Sequence, residues 1–173
     1  MAGLLSRLYK YRQKESKNDL ENFLTEAFAY CLEVDEGFRK AFLGKIEVED
    51  AMYKHLAIRT QKQVSEGSRP DMLIISDDLI VFVECKLESP EGNMQLERYA
   101  QDLLGFEEST KKLVYITKYN ESSEEKKPEI IDNDAWYTFQ WKDVFGLIEQ
   151  EAKHPISDEF NHFLIHNNMS PND

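Results

Sequence analysis

Two apolar runs joined by a short polar turn limit the possible folds of this chain more than any other stretch. The runs, residues 72–75 and 79–85, are rich in the β-branched and aromatic residues that favour strands. Ser76-Asp77-Asp78 separates them, so the pattern predicts a β-hairpin. If Asp77-Asp78 is a two-residue turn, residues whose numbers sum to 155 face each other, and Asp71 lies opposite Glu84.

The predicted hairpin has two different faces, because side chains alternate along a strand. One face is wholly apolar, and the other carries charge only at the open end of the hairpin. An apolar hairpin of this kind belongs in the middle of a covered, mixed sheet. The first set is Met72, Ile74, Leu79, Val81, Val83 and Cys85, and the second is Asp71, Leu73, Ile75, Ile80, Phe82, Glu84 and Lys86.

The charged end of the hairpin predicts a metal site. Cβ atoms that face each other lie ~5 Å apart, so Asp71 and Glu84 would repel unless one were protonated or a cation bridged them. A divalent metal beside Lys86 resolves this conflict. The alternative is that both carboxylates merely end strands at the solvent edge while Lys86 pairs with one of them. The turn also leaves a choice open, since Asp-Asp lacks the Gly of favoured two-residue turns and a longer loop would change the register.

Three motifs resemble one known family. Pro70-Asp71 followed by Glu84-Cys85-Lys86 resembles the signature of the PD-(D/E)XK nuclease superfamily. Gln95-Leu96-Glu97-Arg98-Tyr99 is similar to the Gln-x-x-x-Tyr motif of its RecB-like branch, and residues 21–28 resemble the first core helix, which commonly contributes an acidic ligand. The matches follow the order of the family between about residues 19 and 117.

The resemblance implies a restriction-endonuclease-like α/β fold, in which helices flank a mixed central sheet in the order α-β-β-β-α-β. It implies hydrolysis of phosphodiester bonds with Mg²⁺ or Mn²⁺, with DNA the expected substrate and defence, restriction or repair the expected setting. The implied catalytic residues are Asp71, Glu84, Lys86, Gln95 and Tyr99, and the implied metal ligands are Glu21, Asp71, Glu84 and the Cys85 carbonyl.

A first helix is predicted from Asn18 or Asp19 to about Glu33. At 100° per residue, Glu21 falls at the edge of its apolar stripe and Glu26 points away, so Glu21 is the preferred ligand and Glu26 the second candidate. Glu21 could also be an ordinary first-turn carboxylate. The stripe consists of Leu20, Phe23, Leu24, Ala27, Phe28 and Cys31.

The remaining elements follow from periodicity and from Gly and Pro breaks. Two short helical pieces are expected at 35–43 and 48–56 with a break at Gly44, and a polar edge strand at 57–64. A loop at 89–92 should lead to Asn93, the cap of a helix ended by Gly105. Strands at 113–117 and 136–140, a charged loop at 120–128 and helices at 142–152 and 158–166 complete the prediction.

The length of 173 residues predicts a single domain, 1–173, with a basic lead-in arm at 1–17 and a tail at 167–173, alone or as part of a longer protein. The longest apolar run is far too short to span a membrane, and no secretory signal is evident, so we expect a cytoplasmic protein. Cys31 and Cys85 are expected to be buried, reduced thiols.

Charge limits how the chain could bind nucleic acid. Its formal net charge is −12, although affinity for nucleic acid comes mainly from Lys and Arg. The arm, with Arg7, Lys10, Arg12, Lys14 and Lys17, could contact a phosphate backbone or be a solvated lead-in, and Arg69 could contact a phosphate or pair within its loop. Three hypotheses therefore stand: a DNA nuclease, an inactive structural or protein-binding subunit, and a domain of a longer protein whose nuclease activity is gated by a partner domain that senses or loads DNA. In the third, a homo-oligomer or partner subunit could supply the DNA contacts.

Overall fold

The chain folds around one mixed sheet with helices on both faces, as a computed structural model shows for Leu4, Leu8 and residues 17–87, 94–120 and 123–173. The strands lie in the order β1-β2-β3-β4-β5, antiparallel from β1 to β3 and parallel from β3 to β5. The helices are α1 (Lys17–Val34), α2 (Glu36–Lys45), α3 (Gln95–Leu104), α4 (Ser123–Lys126), α5 (Trp141–Glu151) and α6 (Pro155–His166). The strands are β1 (Ala57–Thr60), β2 (Met72–Ser76), β3 (Leu79–Cys85), β4 (Thr110–Thr117) and β5 (Trp136–Gln140).

The predicted hairpin and its register are confirmed. Met72 pairs with Val83 and Ser76 with Leu79, so facing residue numbers sum to 155 along the whole hairpin. β3 is the central strand and is buried at every position, as an apolar run requires. Apart from α2 and a 3-10 turn inserted before β1, the order of elements from α1 to β4 is the predicted α-β-β-β-α-β, and the predicted α/β class with a mixed sheet is confirmed.

The Asp77-Asp78 turn forms without the glycine of favoured turns, and neither residue has a positive φ. Asp78 instead ties the turn to the start of β4. Its Oδ1 accepts from the Ser109 N–H (2.7 Å), its Oδ2 accepts from the Ser109 hydroxyl, and its carbonyl accepts from the Thr110 N–H (3.1 Å). These bonds compensate for the unfavourable turn residues, and they explain why β4 begins at Thr110, earlier than predicted.

The two faces of the hairpin pack into two separate cores, as the alternation predicted. The wholly apolar face packs against α1, α2, α5 and α6, and the face that carries the charged end packs against α3. Phe28 of α1 lies at the centre of the larger core, with edge contacts to Phe42 and Trp141 at ring-centroid distances of 5.3 and 5.5 Å. Helices on both faces exclude water from β3, so groups at the end of this strand lie in a low-dielectric environment.

Several boundaries differ from the prediction. Helix α2 runs through Gly44, because the Ile46 N–H still bonds to the carbonyls of the last helical turn. The chain changes direction only at Glu47, which has a positive φ of 60°. Within 48–56 only a short 3-10 turn at Asp50–Met52 forms. Strand β1 stops at Thr60, because the left-handed φ of Gln61 (52°) ends the extended backbone.

The second half follows the prediction closely. Strand β5 has the predicted bounds, α3 ends before Gly105, and a helical turn, α4, lies within the predicted charged loop. Helix α6 begins before the expected Asp158, because Pro155 suits a first helical position and the His154 side chain caps the helix. Met169 of the predicted tail is buried in the larger core.

Three other expectations concern the ends, the thiols and membranes. The lead-in arm before Lys17 and the predicted 89–92 loop with its cap Asn93 lie outside the described residues, apart from Leu4 and Leu8. Cys31 and Cys85 are buried free thiols, as expected. In the described part of the chain, no helix combines the length and the apolar character that a membrane span needs.

Candidate active site

The charged residues of the hairpin lie at its open end. Asp71 directly precedes β2. Glu84 is the second-to-last residue of β3, and Lys86 directly follows that strand. Extending the observed register by one pair places Asp71 opposite Glu84. The Cys85 N–H donates to Asp71 Oδ2 at 2.8 Å, which ties the start of β2 to the end of β3.

Glu84 and Lys86 form a buried ion pair. The Lys86 Nζ lies 3.1 Å from Glu84 Oε1, with the two side chains 13% and 3% exposed. The second carboxylate oxygen, Glu84 Oε2, is buried and has no hydrogen-bond partner among the described residues. A buried polar atom of this kind costs free energy unless a ligand or ion completes it, so its presence at this position favours a functional role.

The acidic pair is electrostatically strained. Burial raises the pKa of Glu84, and the Asp71 charge raises it further, against the opposing effect of Lys86. Burial also raises the pKa of Asp71, while hydrogen bonds from Cys85 and Gln61 lower it. Both carboxyl groups therefore take up protons more readily than in water, and a cation between them would favour their charged forms.

Lys86 stays protonated in this environment. Burial by itself lowers the pKa of Lys86, but the charges of Glu84 and Asp71 outweigh it, so the pKa is raised. Its backbone is fixed on both sides: the N–H donates to the Ile116 carbonyl (2.8 Å) and the carbonyl accepts from Trp141 Nε1 (3.2 Å). The site thus has an ammonium group whose backbone is held in place beside the two carboxylates.

Gln95 and Tyr99 lie on α3, which packs over the same face of the sheet. Gln95 Nε2 donates to the Tyr99 hydroxyl (2.8 Å), and that hydroxyl donates to the Arg69 carbonyl (3.1 Å). Burial raises the pKa of Tyr99, with further contributions from Glu84 and Asp71, so the hydroxyl stays protonated. Gln95, Tyr99 and Arg69 also line a cavity of about 340 Å³ together with Gln63, Gly67 and Ser68.

The two acidic candidates of α1 lie in different places. Glu21 Oε1 accepts from the Leu87 N–H (2.9 Å), one residue beyond Lys86, and its charge contributes to the raised pKa of Asp71. The helical wheel predicted that Glu26 points away from the core, and this prediction is wrong. Glu26 is buried and accepts from the Thr60 hydroxyl (2.7 Å), because β1 packs against this side of the helix.

Another detail of the predicted stripe is also wrong. Leu20 is 42% exposed, because the apolar core begins one helical turn later, at Leu24.

A cavity of about 810 Å³, larger than the one beside Tyr99, lies next to Glu26 and includes Arg39 and Arg59 in its wall. Asp71, Glu84 and Lys86 do not line it, so cavity size does not mark the charged site.

Cys85 borders the site with its backbone alone. Its side chain packs into the larger core on the opposite face, and burial raises the pKa of the thiol well above its ordinary value. The Sγ is therefore unsuited to metal binding or nucleophilic attack at neutral pH. The backbone N–H already donates to Asp71, so the carbonyl is the Cys85 group that could still act as a ligand.

The donor set suits a hard divalent cation. Asp71, Glu84 and Glu21 offer carboxylate oxygens, the ligand type that Mg²⁺ and Mn²⁺ prefer, and Glu84 Oε2 is an orphaned buried acceptor. Among the described residues, no group of three or more His, Cys, Asp or Glu side chains is arranged to hold a metal ion. Mg²⁺ usually keeps several of its waters and binds through one or two carboxylates, the number that Asp71 and Glu84 provide.

Sequence reasoning missed Gln61, which contacts the site. Its Nε2 donates to Asp71 Oδ1 at 3.1 Å, although it lies ten positions earlier in the chain. No motif marks it, and its position becomes evident only when β1 pairs with β2. The one signal in the sequence is the Gly67-Ser68-Arg69-Pro70 break, which returns the chain to the end of the preceding strand.

Comparison with known proteins gives one match. The model of the PD-(D/E)XK nuclease superfamily matches residues 4–167, nearly the whole chain. No curated protein and no solved structure matches the chain significantly.

Proposed function

The chain belongs to the PD-(D/E)XK nuclease superfamily, and from this premise we propose that it is a metal-dependent nuclease that cleaves DNA. The observation that supports the proposal is the buried pair Asp71 and Glu84 beside Lys86, with Glu84 Oε2 unsatisfied. Such a site costs stability, and the fold retains it where the chemistry of the family would need it. The fold itself is that of the restriction endonucleases.

The carboxylates supply the ligands in this proposal. Asp71 and Glu84 would hold Mg²⁺ or Mn²⁺, with Glu21 and the Cys85 carbonyl as further donors. The bound ion would acidify a water molecule and offset the negative charge of the phosphodiester. Asp71 is prepared for this role because both of its oxygens are held by N–H donors, which fix the plane of the carboxylate.

The other residues would act on the substrate. The raised pKa of Lys86 favours its ammonium form, which would stabilise negative charge on the phosphate and orient the attacking water. Tyr99 and Gln95 would position the substrate, in the manner of the RecB-like branch. Arg69 is exposed at the cavity beside Tyr99, where its guanidinium could contact a neighbouring phosphate.

A cleavage assay tests the proposal. The purified chain should cut labelled DNA with Mg²⁺ or Mn²⁺, and it should not cut in EDTA or with Ca²⁺ alone, whose looser coordination suits the reaction poorly. Asp71→Asn and Lys86→Met should each slow cleavage by roughly 10²–10⁴-fold. RNA of the same sequence, tested in parallel, identifies the substrate.

Matched controls come from exposed positions at the ends of α2 and α5. Lys45→Met and Glu149→Gln make similar changes of charge there and should cut at the wild-type rate. Full cleavage in EDTA would refute the mechanism, and wild-type rates in Asp71→Asn or Lys86→Met would remove that residue from it.

The charge of the chain favours a proposal about partners. With 21 Lys and Arg against 33 Asp and Glu, few groups can neutralise phosphates, so a second copy or a partner subunit would supply DNA contacts. We expect the isolated chain to bind duplex DNA with a Kd no tighter than ~10⁻⁶ M at physiological salt. Fluorescence anisotropy in Ca²⁺ measures it, and nanomolar binding by the monomer would contradict the need for a partner.

The same acidic charge supports a second candidate function. A subunit that keeps the fold but binds another protein has no need for phosphate contacts, and a net charge of −12 suits it. The cleavage assay separates the two candidates, because a binding subunit would not cut under any metal condition, with or without the lysine and the carboxylates.

A further inference from the structure

Gln61 holds an unfavourable backbone conformation beside the site. Its φ is 52°, in the left-handed region that glycine and asparagine tolerate best and that longer side chains seldom adopt. A residue of this kind persists where the surrounding contacts compensate for the strain, and such positions are common at functional sites. The contacts of Gln61 are therefore informative.

The contacts of Gln61 converge on Asp71. The backbone N–H of Gln61 donates to the Asp71 carbonyl (3.0 Å), and its Nε2 donates to Asp71 Oδ1 (3.1 Å). The same Nε2 donates to Asn22 Oδ1 of α1 (3.2 Å). Both protons of the side-chain amide are thus used, one on the candidate ligand and one on the helix that carries Glu21.

These bonds determine how the Asp71 carboxylate is presented. Gln61 holds Oδ1, and the Cys85 N–H holds Oδ2 at 2.8 Å, so each oxygen has one donor and keeps a further lone pair. The two donors come from opposite sides, one from the end of β1 and one from the end of β3. Without Gln61, Oδ1 would have no fixed direction.

We propose that Gln61 is a positioning residue that orients the Asp71 carboxylate toward a divalent cation and links it to α1. The proposal rests on the proposed function, since it requires Asp71 to be a metal ligand. Hydrogen bonds to ligating carboxylates are part of a metal site, and their loss typically weakens metal affinity or activity by about 10–100-fold.

The test measures Mn²⁺ binding without nucleic acid, by calorimetry, together with urea unfolding of the metal-free protein. Gln61→Met keeps the length of the side chain and the strained φ but removes the donor, whereas Gln61→Gly removes the donor and relieves the strain. Both should weaken Mn²⁺ binding by about 10–100-fold. Only Gln61→Met should lose stability, and Gln61→Gly should fold even if Gln61→Met does not.

Asn168→Gly is the matched control. Asn168 has a similar backbone conformation, with φ 58°, but lies after α6 and is exposed. Its replacement should leave the Mn²⁺ affinity unchanged. Asp71→Asn is the reference for loss of the ligand and should abolish measurable binding.

The outcomes separate this inference from the proposed function. Weaker Mn²⁺ binding in both Gln61 variants, with metal-free stability retained in Gln61→Gly, supports it. Wild-type affinity in Gln61→Gly, with binding lost in Asp71→Asn, would overturn the role of Gln61 alone. No Mn²⁺ binding by the wild-type protein, or wild-type binding by Asp71→Asn, would overturn the proposed function and this inference together.

Discussion

Asp35 and Glu84 are both carboxylates withdrawn from water, at 1% and 2% exposure, but their surroundings differ completely. Asp35 lies at the joint between α1 and α2, where the α5–α6 connection packs against it. Glu84 lies at the end of the central strand. The two residues differ in how many hydrogen-bond donors surround a buried carboxylate and in the direction in which its pKa shifts.

Asp35 is fully satisfied. It accepts from the N–H groups of Phe38 (3.1 Å), Lys153 (2.9 Å) and His154 (2.9 Å), and from the Ser157 hydroxyl (2.7 Å). Burial by itself raises the pKa of Asp35, but these bonds outweigh it and the pKa lies below its ordinary value. The charged form is therefore stabilised by the fold, and it caps α2 while fixing the turn before α6.

The Glu84 carboxylate, in contrast, has one buried oxygen without a hydrogen-bond partner among the described residues. One of its oxygens pairs with Lys86, the other has no partner in the described structure, and its pKa is raised. Donors are available to a carboxylate in this fold, as Asp35 shows, whereas no hydrogen-bond donor among the described residues reaches Glu84 Oε2. A fold retains such an unfavourable group at a functional site, where an ion or substrate completes it.

The largest effect should separate activity from stability at Glu84. Glu84→Gln keeps the shape but removes the charge, so cleavage should slow by about 10³-fold or more, since a proposed metal ligand is lost. Its free energy of unfolding in EDTA should change little, because burial already disfavours the charged form of Glu84 and Lys86 keeps Asp71 as an opposite charge. Cleavage kinetics and urea unfolding in EDTA measure both quantities. A large loss of stability would mean that Glu84 is structural, like Asp35.

Asp35 should show the opposite behaviour. Asp35→Ala leaves several buried donors unsatisfied, and we expect a loss of about 3 kcal/mol in the free energy of unfolding. Cleavage per folded molecule should not change, because the residue is distant from the hairpin end in the fold. Urea unfolding and active-fraction kinetics test this.

Glu36→Ala is the control for this change, since Glu36 is the next residue, is exposed and pairs with Lys40 at the surface. It should unfold like the wild type. If Asp35→Ala did so too, the four bonds to Asp35 would not determine the stability of the joint.

The smallest effect is the pH dependence, which should have opposite signs at the two sites in EDTA. The folded-state pKa of Asp35 is lowered, so its stabilisation is present above the unfolded pKa of about 3.9 and is lost as the pH falls through the folded pKa. The stability difference between wild type and Asp35→Asn should therefore shrink in acid.

The folded-state pKa of Glu84 is raised, so its destabilisation is absent in acid and grows as the pH rises from about 4.3 through the folded pKa. Any gain in stability from Glu84→Gln should thus appear at neutral pH and vanish in acid. Thermal unfolding as a function of pH measures both differences, and the same sign for the two would contradict the comparison.

Local sequence patterns were sufficient for the charged end of the hairpin. The alternation of apolar residues, with period two, placed Glu84 and Lys86 on one face and Cys85 on the other, and the observed register agrees. The turn residues Asp77-Asp78 set that register, although the stabilising contact from Asp78 to Ser109 was not predictable. Periodicity reports the orientation of a side chain along its own element, which is why these predictions held.

The same reasoning failed for side chains whose surroundings depend on contacts with another helix or strand. A helical wheel placed Glu26 away from the core, since it considers only α1 and cannot show that β1 covers that side. Gln61 reaches Asp71 only because β1 and β2 pair, and Ser157 reaches Asp35 across more than a hundred positions. No local propensity encodes these contacts.

The sequence by itself determined the family, the order of elements, the hairpin register and the face that carries Asp71, Glu84 and Lys86, because short-range periodicity and spacing specify them. Only the tertiary structure decided which buried carboxylate is satisfied. The number of donors around Asp35 and around Glu84 depends on how distant segments pack, and that packing also sets the direction in which each pKa shifts.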